Sequence, residues 1–147
     1  MAEQRPVFGW VEKVLVTPGD LPIHAKLDTG ADFSSLSAEN VEEFDKDGVP
    51  WVRFSIKNRY GKKTKFEKEI KRMAVIKRHN GKNQRRAVIR LGICLGHSYM
   101  EEDVNIVDRS RFEYQMLIGR SYLAGLATID PAVTYTTEPN CIVKSAP

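Results

Sequence analysis

The chain has 147 residues, with 23 Lys/Arg against 19 Asp/Glu and a formal charge of +4. That length supports one domain with a core of its own, and 41% apolar with 29% charged residues excludes a disordered chain. No apolar run is long enough for a membrane-spanning helix, and the first ten residues lack the charged-then-apolar layout of a secretory signal. Two cysteines, Cys94 and Cys141, offer no disulfide framework, so a reduced cytoplasmic setting is expected.

Taken in chain order, most segments read as strands. Val7 to Val16 is rich in β-branched and aromatic residues and stops at the turn cluster Pro18-Gly19-Asp20. Ile23 to Leu27 alternates and runs into Asp28-Thr29-Gly30. The spacing of Ser37 and Asn40 predicts a short capped helix through Phe44. Trp51 to Ile56 alternates, with Val52, Phe54 and Ile56 on one face. Met73 to Arg78 and Arg86 to Leu95 flank Asn80-Gly81, a pair suited to a hairpin turn, and Ala87, Ile89, Leu91, Ile93 and Leu95 share a face. Val104 to Val107 and Tyr114 to Ile118 follow as strands, and Ser121 to Gly125 as a second short helix that Gly125 ends. A mainly β fold with one or two short helices is expected, as a single domain over residues 1–147 with a core of about 7–133 and a tail over 134–147.

Charge is unevenly placed. Residues 53–90 hold 15 Lys/Arg and only Glu67 and Glu69 as acids, a net +13, which leaves −9 for the rest of the chain. Such a segment points to a surface for anions, against the alternative of a solvated hairpin whose cations block edge pairing.

The chemistry lies in Leu27-Asp28-Thr29-Gly30-Ala31-Asp32. A strand entering Asp-Thr-Gly puts a carboxylate at a tight turn, where Thr29 can hydrogen-bond across the turn and Gly30 allows close backbone approach. An ordinary Asx turn is the alternative for Asp28. About ninety residues later comes Met116-Leu117-Ile118-Gly119-Arg120-Ser121-Tyr122-Leu123. Together, and in this order, the two segments resemble the retropepsin-like aspartic proteases over about Val7 to Val133. Gly9-Trp10-Val11-Glu12, Val107-Asp108-Arg109-Ser110 and the Gly119-to-Leu123 block resemble, more narrowly, a small bacterial branch labelled ATP-dependent zinc proteases.

The resemblance implies an acid-protease barrel, a catalytic Asp28 with Thr29 and Gly30, and a supporting set of Ala31, Asp32, Gly119 and Arg120 in which Arg120 pairs with Asp32. Carboxylate-driven peptide hydrolysis needs two carboxyls that share a proton, one activating water and one polarising the carbonyl. The chain has no second Asp-Thr-Gly or Asp-Ser-Gly, so a two-fold homodimer with one Asp28 from each subunit is expected. Ser34 and Ser35 lack any Ser-His-Asp context and read as strand residues.

The zinc and ATP of the branch label find no support in the residues. His24, His79 and His97 are scattered, Cys94 and His97 make only a two-ligand pair, and no phosphate-binding Gly-x-x-x-x-Gly-Lys loop occurs. No metal and no cofactor are expected. In viral relatives the stretch between the motifs forms the flap and groove walls; here that stretch is the basic segment, and Phe33 stands where viral members carry an acid. Phe33, Arg53, Arg59, Lys62, Lys63, Lys65, Arg85 and Arg86 are therefore candidates for holding an acidic peptide. Members of the branch are associated with ligases that add oligoglutamate tails to a ribosomal protein, which implies trimming of such tails. Two other readings remain: a nucleic-acid-binding module using the basic hairpins, with few aromatics for stacking, and a non-catalytic scaffold of the same fold.

Overall fold

The computed structural model describes residues 4–77, 81–108 and 113–141. Strands make up 61% of the structure and helix 3%, so the expected barrel carries one short helix. In chain order the elements are β1 (Val7–Gly9), β2 (Val11–Thr17), β3 (Leu21–Leu27), β4 (Ser34–Lys46), β5 (Val49–Lys57), β6 (Lys63–Glu69), β7 (Arg72–Ile76), β8 (Gln84–Leu95), β9 (Ser98–Asp108), β10 (Met116–Ile118), α1 (Arg120–Leu123) and β11 (Thr128–Asp130).

Six strands close a barrel. β10 lies between β3, to which it runs parallel, and β4, to which it runs antiparallel, and this completes the ring β2-β3-β10-β4-β9-β8. Alternation fills the interior: Ile23, Ala25, Leu36, Ile89, Leu91, Ile93, Val104 and Met116 are all wholly buried. Each buried branched side chain stabilises the fold by roughly 1.5–3 kcal/mol. Tyr122 and Leu123 bury the inner face of α1, and the Tyr122 hydroxyl donates to the carbonyl of Ser98 at 3.2 Å. Burial pushes that phenol's pKa up, so it remains a donor.

The expected helix over Ser37 to Phe44 is instead the middle of β4. Asp47 and Gly48, both at positive φ (53° and 83°), make a two-residue turn that pairs Lys46 with Val49 and commits the preceding segment to a strand. The first half of β4 lines the barrel beside β9; after a register shift between Glu39 and Glu42 the second half leaves the barrel and pairs with β5. β5 and β6 then form an outer hairpin, its Phe54 and Phe66 rings stacked 5.3 Å apart. The segment expected as one strand from Val7 is broken at Trp10 into β1 and β2, and the last barrel strand begins at Met116 rather than Tyr114. β7 and β8 pair antiparallel as expected; Arg78, His79 and Asn80, between them in sequence, lie outside the described residues, as do Arg109 and Ser110.

Beyond β11 the chain runs back along β2. Trp10 N–H donates to the Val133 carbonyl at 3.0 Å and Tyr135 N–H to that of Val11 at 2.9 Å. The wholly buried Glu12 carboxylate accepts from Gly9 N–H at 2.7 Å and from both the N–H and the hydroxyl of Thr136. Contrary to expectation, the two cysteines are joined: Cys141 is disulfide-bonded to Cys94, with Cα atoms 6.0 Å apart. Sequence spacing does not reveal this, because the contact exists only once the terminal segment lies across the β8–β9 turn.

Candidate active site

Two parallel strands deliver the site. β3 ends at Leu27 and β10 at Ile118, side by side, and Asp28 N–H donates to the Ile118 carbonyl at 2.8 Å. The loop from Asp28 to Phe33 then returns to β4 under several tethers. Ala31 N–H donates to the Asp28 carbonyl at 3.2 Å, Arg120 N–H to that of Ala31 at 2.8 Å, and Ser121 N–H to that of Asp32 at 3.0 Å. The Arg120 guanidinium pairs with the Asp32 carboxylate, as the resemblance implied, and donates through Nη1 to the Thr29 carbonyl at 2.7 Å. One planar cation thus ties both ends of the loop to α1.

Gly119 is fixed by space. A Cβ there would sit 2.6 Å from the Phe33 carbonyl oxygen and 2.8 Å from that of Ala31, both backbone atoms. Its N–H donates to Ser34 Oγ at 3.1 Å. Ser34, read from the sequence as a plain strand residue, is therefore part of the brace. Behind it, buried Asn105 donates to the Ser34 carbonyl at 3.0 Å and accepts from Ser35 Oγ at 2.9 Å and Arg86 Nη1 at 3.0 Å.

This scaffold presents a half-buried Asp28 whose Oδ1 accepts from Gly30 N–H at 2.9 Å, with Thr29 and Gly30 exposed beside it. The Thr29 hydroxyl, expected to bond across the turn, makes no hydrogen bond among the described residues; the carbonyl does that work. The arrangement offers a fixed carboxylate facing solvent, able to orient or deprotonate a water.

The predicted groove residues divide. Phe33 is 55% exposed and meets the β7–β8 hairpin, with the Arg72 guanidinium 5.8 Å from its ring centre. A cavity of about 230 Å³ lies there, lined by Phe33, Arg72, Val75, Val88 and Asp103 among others. Arg85 is on that hairpin, opposite Val75, while Arg86 is bound to Asn105 and Gln84. Arg53, Arg59, Lys62, Lys63 and Lys65 are not brought to Asp28. They belong to the β5–β6 hairpin, whose loop is anchored by Asn58 Nδ2 donating to the Pro22 carbonyl at 3.0 Å. Pro22 is six strand residues from Asp28, roughly 20 Å. Acids of β4 and β6 meet two of these cations: Arg53 pairs with Glu67 of β6 at 2.7 Å and Glu42 of β4 at 3.8 Å, and Lys63 with Glu39 of β4 at 3.9 Å. Part of the uneven charge of the sequence is thus a basic hairpin laid against an acidic strand.

Among the described residues no group of three or more His, Cys, Asp or Glu could hold a metal ion, Cys94 is consumed by its disulfide, and His97 Nδ1 faces the Asn140 carbonyl at 2.9 Å. Nor is any helix among them long and apolar enough to cross a membrane.

The family model of the RimB-like proteins, described as retropepsin-like aspartic endopeptidase RimB, matches residues 7–140. The chain belongs to the RimB-like family. Its matched stretch includes both motifs of the Asp28 loop and all but the last described residue of the returning segment. The RimB-like chain also resembles a protein of Shewanella pealeana named "Probable alpha-L-glutamate ligase", 32% identical over 116 residues, and one of the same name from Desulfotalea psychrophila, 30% identical over 114. These matches cover 77% and 76% of this chain but 25% of each relative, so the chain spans about a quarter of their length. Among solved structures, a Legionella pneumophila protein of unknown function is 34% identical with a TM-score of 0.77, covering 92% of this chain and 100% of that one.

Proposed function

We propose that this RimB-like protein is an aspartic-type peptidase whose working unit is a two-fold homodimer, acting on acidic, glutamate-tailed protein. The observation that carries the reading is the single solvent-facing Asp28 carboxylate on a loop braced by Arg120, Asp32 and Gly119. One such group can bind water, but hydrolysis also needs an acid for the carbonyl, and a second copy supplies it. In the dimer two carboxyls about 3 Å apart share one proton. The ionised one takes a proton from water as its oxygen attacks the peptide carbon; the protonated one donates to the carbonyl oxygen. Collapse of the tetrahedral species breaks the C–N bond, and the amine leaves with a proton from the dyad. No covalent intermediate forms. The exposed Thr29 hydroxyl, without a hydrogen bond among the described residues, suits a cross-link between the two loops.

The acidic substrate is supported by Arg72 beside the loop's Phe33, by Arg85 on the same β7–β8 hairpin, and by relatives named probable alpha-L-glutamate ligase. The test is hydrolysis of a glutamate-tailed peptide beside an untailed control. Asp28→Asn is expected to lose at least about 100-fold in rate. Raising salt to about 0.5 M, where charges are screened over roughly 4 Å, is expected to weaken binding of the tailed peptide. An Asp28→Asn protein that cleaves as fast as wild type overturns the reading.

A further inference from the structure

The Asp28 loop is entered past a second cavity that the motifs do not announce. Lys26, next to last in β3, precedes Asp28 by two residues, about 7 Å along the chain. Lys26 pairs in register with Leu117 of β10, and the next residue, Leu27, donates its N–H to the Trp10 carbonyl at 2.8 Å. Beside Lys26, Trp10, Glu113, Tyr114, Met116 and Leu117 complete the lining of a cavity of about 260 Å³, with the Trp10 and Tyr114 rings edge-to-face at 6.2 Å. Within it Lys26 is exposed and has no carboxylate within 4.0 Å among the described residues, although Glu113 shares the cavity. Elsewhere the cations closest to acids are taken: Arg53, Lys63, Arg90 and Arg120 all have ion-pair partners.

We infer that this cavity is a specificity pocket in which Lys26 receives the carboxylate of an acidic substrate side chain, the one beside the bond that Asp28 attacks. The inference rests on the proposed peptidase reading and sharpens it: Lys26 sets which residue flanks the cleaved bond. The pocket's lining suits a glutamyl side chain held at Lys26, away from the Glu113 carboxylate. Its aromatic and aliphatic walls take the two methylenes, and a flexible ammonium at its edge meets the charge without being buried and unpaired. The other cavity, at Phe33 at the opposite end of the loop from Asp28, carries its own cation, Arg72. An extended peptide turns successive side chains to opposite sides, so neighbouring glutamates would meet different cations.

The experiment measures binding and cleavage separately. A fluorescent hexaglutamate and its six single glutamate-to-glutamine versions are titrated against Asp28→Asn protein, with and without Lys26→Met, at low salt. In the Asp28→Asn background one position is expected to lose roughly two- to five-fold in affinity through Lys26, the range of one exposed ion pair. Lys26→Met should abolish the penalty at that position alone, and Lys26→Arg should restore it, which also guards against a misfolded variant. Lys65→Met, on the outer hairpin, should leave all six penalties as they are. Cleavage-site mapping with Asp28 intact should put the Lys26-coupled glutamate next to the broken bond. Unchanged penalties in Lys26→Met, a coupled glutamate remote from the cleaved bond, or absence of hexaglutamate binding overturns the inference. If instead binding depends on Lys26 but no protein cleaves, the peptidase reading fails and the carboxylate pocket stands.

Discussion

Gly119 is where one atom decides most. An alanine Cβ there meets two backbone carbonyl oxygens at under 3.0 Å, and neither can rotate away as a side-chain end would. Gly119→Ala is expected to destabilise the fold by about 1–3 kcal/mol through overpacking, read as a lower midpoint in urea. It should also displace the Ala31–Phe33 segment that Arg120 and Ser34 hold. An unchanged midpoint would mean that the loop has slack that the contacts exclude. Residues at this scale were legible where the chemistry is local. Asp28, Thr29 and Gly30 are adjacent, and Arg120 follows Gly119, so two short motifs named most of the loop. Ser34, Asn105 and Lys26 were not, for different reasons. Ser34 and Asn105 meet across 71 residues of sequence, which no local pattern encodes. Lys26 was visible in the strand alternation, but its pocket needs Trp10 and Tyr114 from elsewhere in the chain.

Elements show how a local signal loses to a better one. The Ser37–Asn40 spacing suits a helix start, yet Asp47-Gly48, just past the end of that segment, closes a two-residue hairpin, and that turn decides the register. The outer hairpin that follows is joined to the returning C-terminal segment through His24. Its Nε2 lies 3.0 Å from the Tyr60 hydroxyl of the hairpin loop, and its Nδ1 lies 3.0 Å from that of Tyr135. Burial, then the nearby Arg59 and Lys13 charges, lowers the His24 pKa below its ordinary 6.5. Above pH about 6.5 the ring is therefore neutral in both the folded and the unfolded chain, and its contribution to stability is complete. As pH falls below that, the unfolded chain binds the proton first and stability drops, until His24 protonates in the folded protein as well. Urea midpoints taken from pH about 7.5 to 5 should therefore fall, and His24→Gln should flatten that part of the decline. Equal slopes in the two proteins would remove His24 from the account.

For the whole molecule, the sequence suggested a cationic middle between acidic flanks, and the fold brings part of that opposition into contact. Arg53 and Lys63 meet acids of β4 and β6, and Arg90 meets Glu101 and Asp103 of β9. What remains near the Asp28 loop is a smaller set, Lys26 two residues before Asp28 and Arg72 against the Phe33 ring. The barrel itself was legible because strand alternation and turn residues repeat along the chain, whereas the Cys94–Cys141 link and the Glu12 clamp depend on where the terminal segment comes to rest. The central claim is that two Asp28 carboxylates, one from each of two copies, make one catalytic site. It is tested most directly by mixing wild-type and Asp28→Asn subunits at constant total concentration, under conditions of free exchange, and following hydrolysis of a glutamate-tailed peptide. A shared site predicts a rate that falls as the square of the wild-type fraction, to about a quarter at equal mixing, whereas a rate of about half, falling in direct proportion, would contradict it.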